Sequence, residues 1–352
     1  MNPFLAALSL IVLYSSLAWS QDQSSKFHEW IDQGPGGKEH SMSWVDQQNY
    51  YLVNGFGFTP FQGVNSNELW KLDLASKKWE LLAVKGDSPG PYGRGAKWGD
   101  KNELLVLAYD PVFFGAQSVS LLYKLKIENG VGQWTKVSYY AETQEEAADA
   151  EEFQMRDSRL SSLVYNSNDG HFYSVCAAAN CDIFKIKLLD NKSKVFKIKS
   201  ANSGPSGRIG FAYGFSQTKN ELIIASGQNL LSPTAAFFND IWVLQLNNNA
   251  PTWQLTSATL EGRRNACYGF NENTQKLSVW GGTHDGRSSI KGINTFDLTT
   301  QKLTVKENAN EGFERSSCFS AYDSVGKRLF MGFGNTMINN QNIVFRDLWV
   351  SE

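Results

Sequence analysis

Six residues head similar segments along the chain and are the first candidates for chemistry. In GPSGRIGFAYGF, Arg208 stands at the mouth of a small-and-aromatic stretch. Aligning on it recovers RGAKWGDKNELLVLA from Arg94, RLSSLVYNSNDGHFYSVCA from Arg159, RNACYGFNENTQKLSVWGG from Arg264 and RSSCFSAYDSVGKRLFMGFG from Arg315; HSMSWVDQQNYYLVNGFG opens instead on His40. A guanidinium presents five donors in a planar fork, so each position has two uses. Either it satisfies buried carbonyls of an adjacent repeat, or the six together form a cationic rim that grips carboxylates, sulfates or acidic side chains bidentately.

Other chemistry is scarce. His28, His40, His171 and His284 lack HxH or HxxxH spacing, which gives no support to a histidine-based zinc or copper site, and neither metal nor cofactor is expected. His284-Asp285 is the one loop pair able to serve as acid and base beside an arginine. Its alternative is a turn shaped by Asp285 ahead of Gly286. No GxSxG elbow or phosphate-cradling glycine loop occurs. A formal net charge of −2 argues against a nucleic-acid partner, which requires a concentrated basic surface.

The elements that must position these residues recur with them, at a period of roughly fifty residues. After each marker comes one strand-like run, then a second ending in glycine (Gly55, Gly227, Gly281 and Gly282, Gly332). A third contains Trp70, Tyr123, Phe184 or Trp242, and a fourth opens on Trp79, Trp134 or Trp253. With 11 Trp, 13 Tyr and 22 Phe, residues that favour pleated half-buried surfaces, the chain reads as all-β. Four short strands per fifty residues is the signature of a propeller blade.

Trailing glycines such as VWGG, third strands such as ELWKLDL and NDIWVLQ, a tryptophan opening the fourth strand and an arginine opening the next unit resemble kelch repeats, the galactose-oxidase-like propellers. The resemblance spans essentially the whole chain after residue 20. It implies a single six-bladed β-propeller over residues 21–352, with blades starting near His40, Arg94, Arg159, Arg208, Arg264 and Arg315. The last unit stops at its third strand, FRDLWVSE, and KFHEWIDQGPGG near the start reads as the missing fourth, so the ring is expected to close there without an exposed edge. In some members arginines at the marker position contact acidic peptide partners. A copper site of the galactose-oxidase kind needs two histidines, tyrosines and a cysteine converging on the axis, and is not expected.

In such a blade the loops before the first strand and between the second and third share a face. Phe58, Phe113, Phe114 and Phe238 fall in those loops and are expected, with the six markers, to line a ligand-binding mouth. The acidic insertion at 141–157, AETQEEAADAEEFQMRD, should rise on the same face as a short helix, either solvated or pairing with the arginine rim as a lid. Residues 1–20 read as a signal peptide, cleaved before Gln21, an uncleaved anchor being the alternative; the remainder is then expected to be secreted and off the membrane, and a monomer is expected. In that compartment Cys176 and Cys181 would bond across a hairpin, free thiols being the alternative, and Asn191-Lys192-Ser193 is a glycosylation sequon. Whether Cys267 and Cys318 bond is open. The expected function is binding of an unknown extracellular protein, glycan or small molecule, anionic or aromatic, at the rimmed mouth. The alternative is an enzyme acting on a small, aromatic molecule in the same cavity through His284 and Asp285.

Overall fold

The computed structural model describes residues 27–31, 35, 38–39, 42–53, 56–58, 63–65, 67–89, 93–109, 119–155, 161–176, 180–229, 236–246, 250–285, 289–306, 314–338 and 341–351. His40, Arg159, Phe113, Phe114 and the leader at residues 1–20 lie outside them.

Strand propensity and tight polar turns produce six four-stranded antiparallel units. Unit one is Met42–Asp46, Asn49–Val53, Leu69–Asp73 and Lys78–Lys85; unit two is Gly93–Lys97, Glu103–Tyr109, Ser120–Glu128 and Val131–Tyr139. Unit three is Val164–Asn166, His171–Val175, Ile183–Leu189 and Lys192–Ile198; unit four is Ala212–Ser216, Glu221–Ala225, Asp240–Gln245 and Thr252–Thr259. Unit five is Cys267–Asn271, Lys276–Trp280, Ile293–Asp297 and Lys302–Lys306. Unit six has Phe319–Asp323, Arg328–Gly332 and Leu348–Ser351, and its fourth strand is Phe27–Ile31, paired antiparallel with Leu348–Ser351.

Burial explains the strand sequences. Second strands such as ELIIA, KLSVW and RLFMG are buried at every position after the first, because neighbouring units cover both faces. First strands alternate, as in AYGFS and CYGFN, with every second residue half-buried. Fourth strands are wetter, and Lys302–Lys306 is exposed almost throughout.

Among the described residues the core divides into apolar clusters, each shared by two units. Leu52, Tyr50 and Val45 of unit one pack with Phe330, Phe319 and Val350 of unit six. Other clusters join units one and two, two and three, three and four, four and five, and five and six. Close approach of first strands needs small residues: a Cβ on Gly214 would come within 2.6 Å of Phe270 Cβ in the next unit. This is the all-β, four-stranded arrangement of a kelch-like propeller.

The acidic insertion folds as the helix Gln144–Gln154, but not as a lid on an arginine rim. Thr143 caps it by accepting from Glu146 N, and Glu146 in turn accepts from Glu142 N. Ala150 and Phe153 are buried among Phe184, Ile186 and Leu163, which anchors the helix on the flank of unit three. Its carboxylates answer lysines of the strand beneath: Lys194 lies 2.6 Å from Glu142 and 3.3 Å from Glu146, and Lys197 lies 2.8 Å from Glu152. Buried phenylalanine and nearby ammoniums decide the docking, and of the two expectations, a solvated charged face or a lid on the rim, these pairs fit the first.

Two disulfides form, Cys176–Cys181 within unit three and Cys267–Cys318 between the first-strand regions of units five and six. The second closes a loop of sequence separation 51. Chain-entropy accounting puts its removal at about 4 kcal/mol. The double variant Cys267→Ser, Cys318→Ser should therefore have its unfolding free energy, measured by urea titration, lowered by roughly that much, with far-ultraviolet circular dichroism of the native state unchanged.

Candidate functional site

Arg208 and Arg315 act within their own units. Arg208, buried, donates from Nη1 to Ser226 O at 2.9 Å and grips Asp240 with both nitrogens, Nη1 to Oδ1 at 2.6 Å and Nη2 to Oδ2 at 3.1 Å. Arg315 repeats this on Phe333 O at 3.1 Å and Asp347 at 2.6 and 2.8 Å. Phenylalanines cover the guanidiniums, Phe238 at 4.1 Å and Phe345 at 3.8 Å from ring centroid to Cζ. Trp242 and Trp349 complete the carboxylates' hydrogen bonding through Nε1. For Arg208 and Arg315 the expectation that the fork served an adjacent unit's carbonyls is thus corrected: their partners are the end of the second strand and the start of the third strand of the same unit, whereas Arg94 does reach a carbonyl of the adjacent unit, Ser161 O.

In unit five the equivalent residue is Arg263, one before the Arg264 read from sequence. Arg208, Arg263 and Arg315 each stand four residues ahead of strands beginning at Ala212, Cys267 and Phe319. Arg263 Nη1 donates to Gly281 O, eighteen residues on, as Arg208 and Arg315 do to their carbonyls. Arg264 instead reaches Gln228 Oε1 of unit four at 2.7 Å. Arg94 is not ahead of its strand but inside it, facing Leu107.

Backbone bonds tie these forks into a relay. Gly227 N, next to Ser226, donates to Arg263 O; Gly282 N, next to Gly281, donates to Arg315 O. Two residues after each arginine the chain turns left-handed, at Gly210, Asn265 and Ser317. There Asn265 N donates to Gly210 O and Ser317 N to Asn265 O, which sets the spacing between first strands.

First strands of all six units surround a central cavity of about 240 Å³, with Ser43, Arg94, Leu163, Tyr213, Tyr268 and Ser320 contributing one residue per unit. Arg94 Nε donates to Ser161 O of unit three at 3.3 Å. Tyr213 and Tyr268 are tilted neighbours at 5.1 Å between centroids. Burial pushes the Tyr268 phenol well above its usual range, Tyr213 adds to the rise, and the Arg94 charge opposes it. Tyr268 is therefore a neutral hydroxyl at ordinary pH, able to donate. Arg94 is the only charged residue in the lining among the described residues. A smaller void of about 50 Å³, bounded by Arg94, Asn265, Tyr268 and Ser317, adjoins it.

The remaining expected residues lie elsewhere. Phe58 ends the short strand Phe56–Phe58, and Phe238 sits over Arg208. His284 is exposed, with Nδ1 3.8 Å from Glu261, while Asp285 bonds Thr283 and shapes its turn. Neither lines the cavity. Asn191 is exposed in the turn ahead of Lys192–Ile198. Tyr213 and Tyr268 escaped the motif search, although the repeated tripeptide YGF, at a first strand's alternating positions, carried the signal. A larger crevice of about 640 Å³ lies off the axis between the helix, unit three and Trp253, with both acids and lysines in its lining. Among the described residues, no three His, Cys, Asp or Glu side chains gather as a metal site.

Removing one partner of a buried ion pair strands the other. Asp240→Ala should lower unfolding free energy by about 3 kcal/mol, and the pair Arg208→Met, Asp240→Leu should recover much of it; an uncoupled double-mutant cycle would contradict the clamp.

No family model matches the chain, and no curated protein matches it. Among solved structures it is similar to YjhT, a kelch-repeat propeller protein, at 14% identity and a TM-score of 0.64, over 90% of this chain and 95% of that one. The likeness is one of fold.

Proposed function

We propose that the chain is a secreted, closed six-bladed propeller that binds a small anionic ligand in its central cavity, with Arg94 as the anion's partner and Tyr268 and Tyr213 as neutral donors and aromatic wall. Closure is supported by the cluster shared between units six and one and by the pairing of Phe27–Ile31 with Leu348–Ser351. The two disulfides support an oxidising compartment.

One observation carries the ligand's charge: a single cation and no anion stand in the described lining of a cavity reached by all six units. A carboxylate there pairs with a fork in a medium of lowered dielectric, where the interaction is strengthened. Size favours a small molecule. The cavity, near 240 Å³, is below the roughly 300 Å³ where drug-sized sites begin, too small for a folded peptide segment. The wall adds an apolar preference through Phe215, Phe270 and Tyr322, which follow on the same faces of their strands.

Benzoate and its neutral isostere benzamide serve as probes in titration calorimetry. Benzoate should bind and benzamide should not. Arg94→Ala should weaken benzoate by about 10- to 100-fold, as expected when a charge-assisted hydrogen bond is lost. Equal benzoate affinity in wild type and Arg94→Ala would sink the reading.

A further inference from the structure

Units four and six carry one cassette, Phe-x-Asp-x-Trp, at Phe238 to Trp242 and Phe345 to Trp349, and each closes over a buried arginine. Unit five keeps the arginine and lacks the rest. Strand pairing places Ile293 opposite Trp280 as Ile241 stands opposite Ala225 and Leu348 opposite Gly332. Gly292 therefore occupies the position of Asp240 and Asp347, Ile290 that of the phenylalanine, and Asn294 that of the tryptophan.

Arg263 is nonetheless 1% exposed. Its Nη1 bonds Gly281 O and its Nε bonds Glu261 O, as the fork's first two contacts do in unit four. Burial lowers its pKa to about 10, which marks a cation short of compensation. Among the described residues, the carboxylate near it is Glu261, at 3.6 Å from Nη2, against 2.6 to 3.1 Å in the closed forks. Glu261 is more than half exposed and stands equally within 3.8 Å of His284 Nδ1, so it has another partner when it leaves. In units four and six the acid that takes this side is itself reached from solvent: Asp240 and Asp347 remain 24% and 13% exposed while their arginines are sealed.

We propose that unit five is a second anion site, in which a carboxylate supplied in trans displaces Glu261 and takes the bidentate place on Arg263 that Asp240 and Asp347 fill within units four and six. The ligand class is a carboxylic acid, and its source is either a free small acid or an acidic side chain of a partner. The site is separate from the central cavity and independent of the function assigned there.

The test follows thermal unfolding of the Arg94→Ala protein, which removes the central partner, in sodium acetate against sodium chloride at equal ionic strength. Acetate should raise the melting temperature saturably, by about 2 °C at ten times its Kd. Gly292→Asp installs the missing acid and should abolish the response. Since Gly292 has φ +81, a conformation costly to side chains, Glu261→Gln is the second variant, leaving the fold's glycine in place. It should tighten acetate at least threefold by removing the competitor. Hexaglutamate binding more than tenfold tighter than acetate assigns the source to an acidic segment, and acetate binding as well or better assigns it to a free acid. An acetate response no larger than that of chloride, or one unchanged in both Gly292→Asp and Glu261→Gln, overturns the site.

Discussion

A buried guanidinium gripping a carboxylate is the contact on which the molecule's geometry turns. Arg208 and Arg315 each bind the carbonyl just past the second strand and the acid at the start of the third, and Arg208 also holds the loop ahead of its first strand through Ser206 O. A charge out of water is tolerable only when its donors are met, and here carbonyl, carboxylate and ring face meet them. The carbonyls held by Arg208 and Arg263 belong to the residues before those whose N–H donates to the next arginine's backbone. Local ion pairing in one unit is thereby converted into the spacing of the next, and that spacing sets the width of the axial cavity.

Much of this was legible from residues alone. Repeated arginines, trailing glycines and aromatic third strands carried the four-stranded units, because a blade imposes the same burial on the same position each time. What blurred was register. Arg263 and Arg264 are adjacent, and choosing the second set Cys267 and Cys318 at equal distances from their markers, whereas Cys267 begins its strand and Cys318 precedes one. Arg94 was misplaced because unit two has no arginine ahead of its strand among the described residues, so the alignment slid to the nearest one. In both cases the pairing partner, Leu107 for Arg94 and Trp280 for Cys267, supplies what letter matching lacks.

The cavity was the harder part to foresee. Charge drew attention to the rim, yet internal acids satisfy Arg208 and Arg315, and the lining is mostly uncharged hydroxyls and rings. Alternation along the first strands decides which side chains face inward, and glycines at Gly95, Gly214 and Gly269 let neighbouring strands approach closely enough for Tyr213 and Tyr268 to touch. The acidic helix teaches the same lesson in reverse. Its charge run is a solvated face whose inner side is fixed by Phe153.

The seam at which the two ends of the chain meet differs from the one beside it. Units five and six are stitched covalently through Cys267 and Cys318, whereas Phe27–Ile31, the strand that precedes unit one in the chain, is held in the sheet of unit six by hydrogen bonds alone, with Phe27 opposite Ser351. Antiparallel strands loaded at the same end separate one hydrogen-bonded pair at a time instead of shearing together. Tension applied at Phe27 and Ser351 would therefore peel Phe27–Ile31 away like a zipper, opening unit six at one latch while its sulfur bridge to unit five holds.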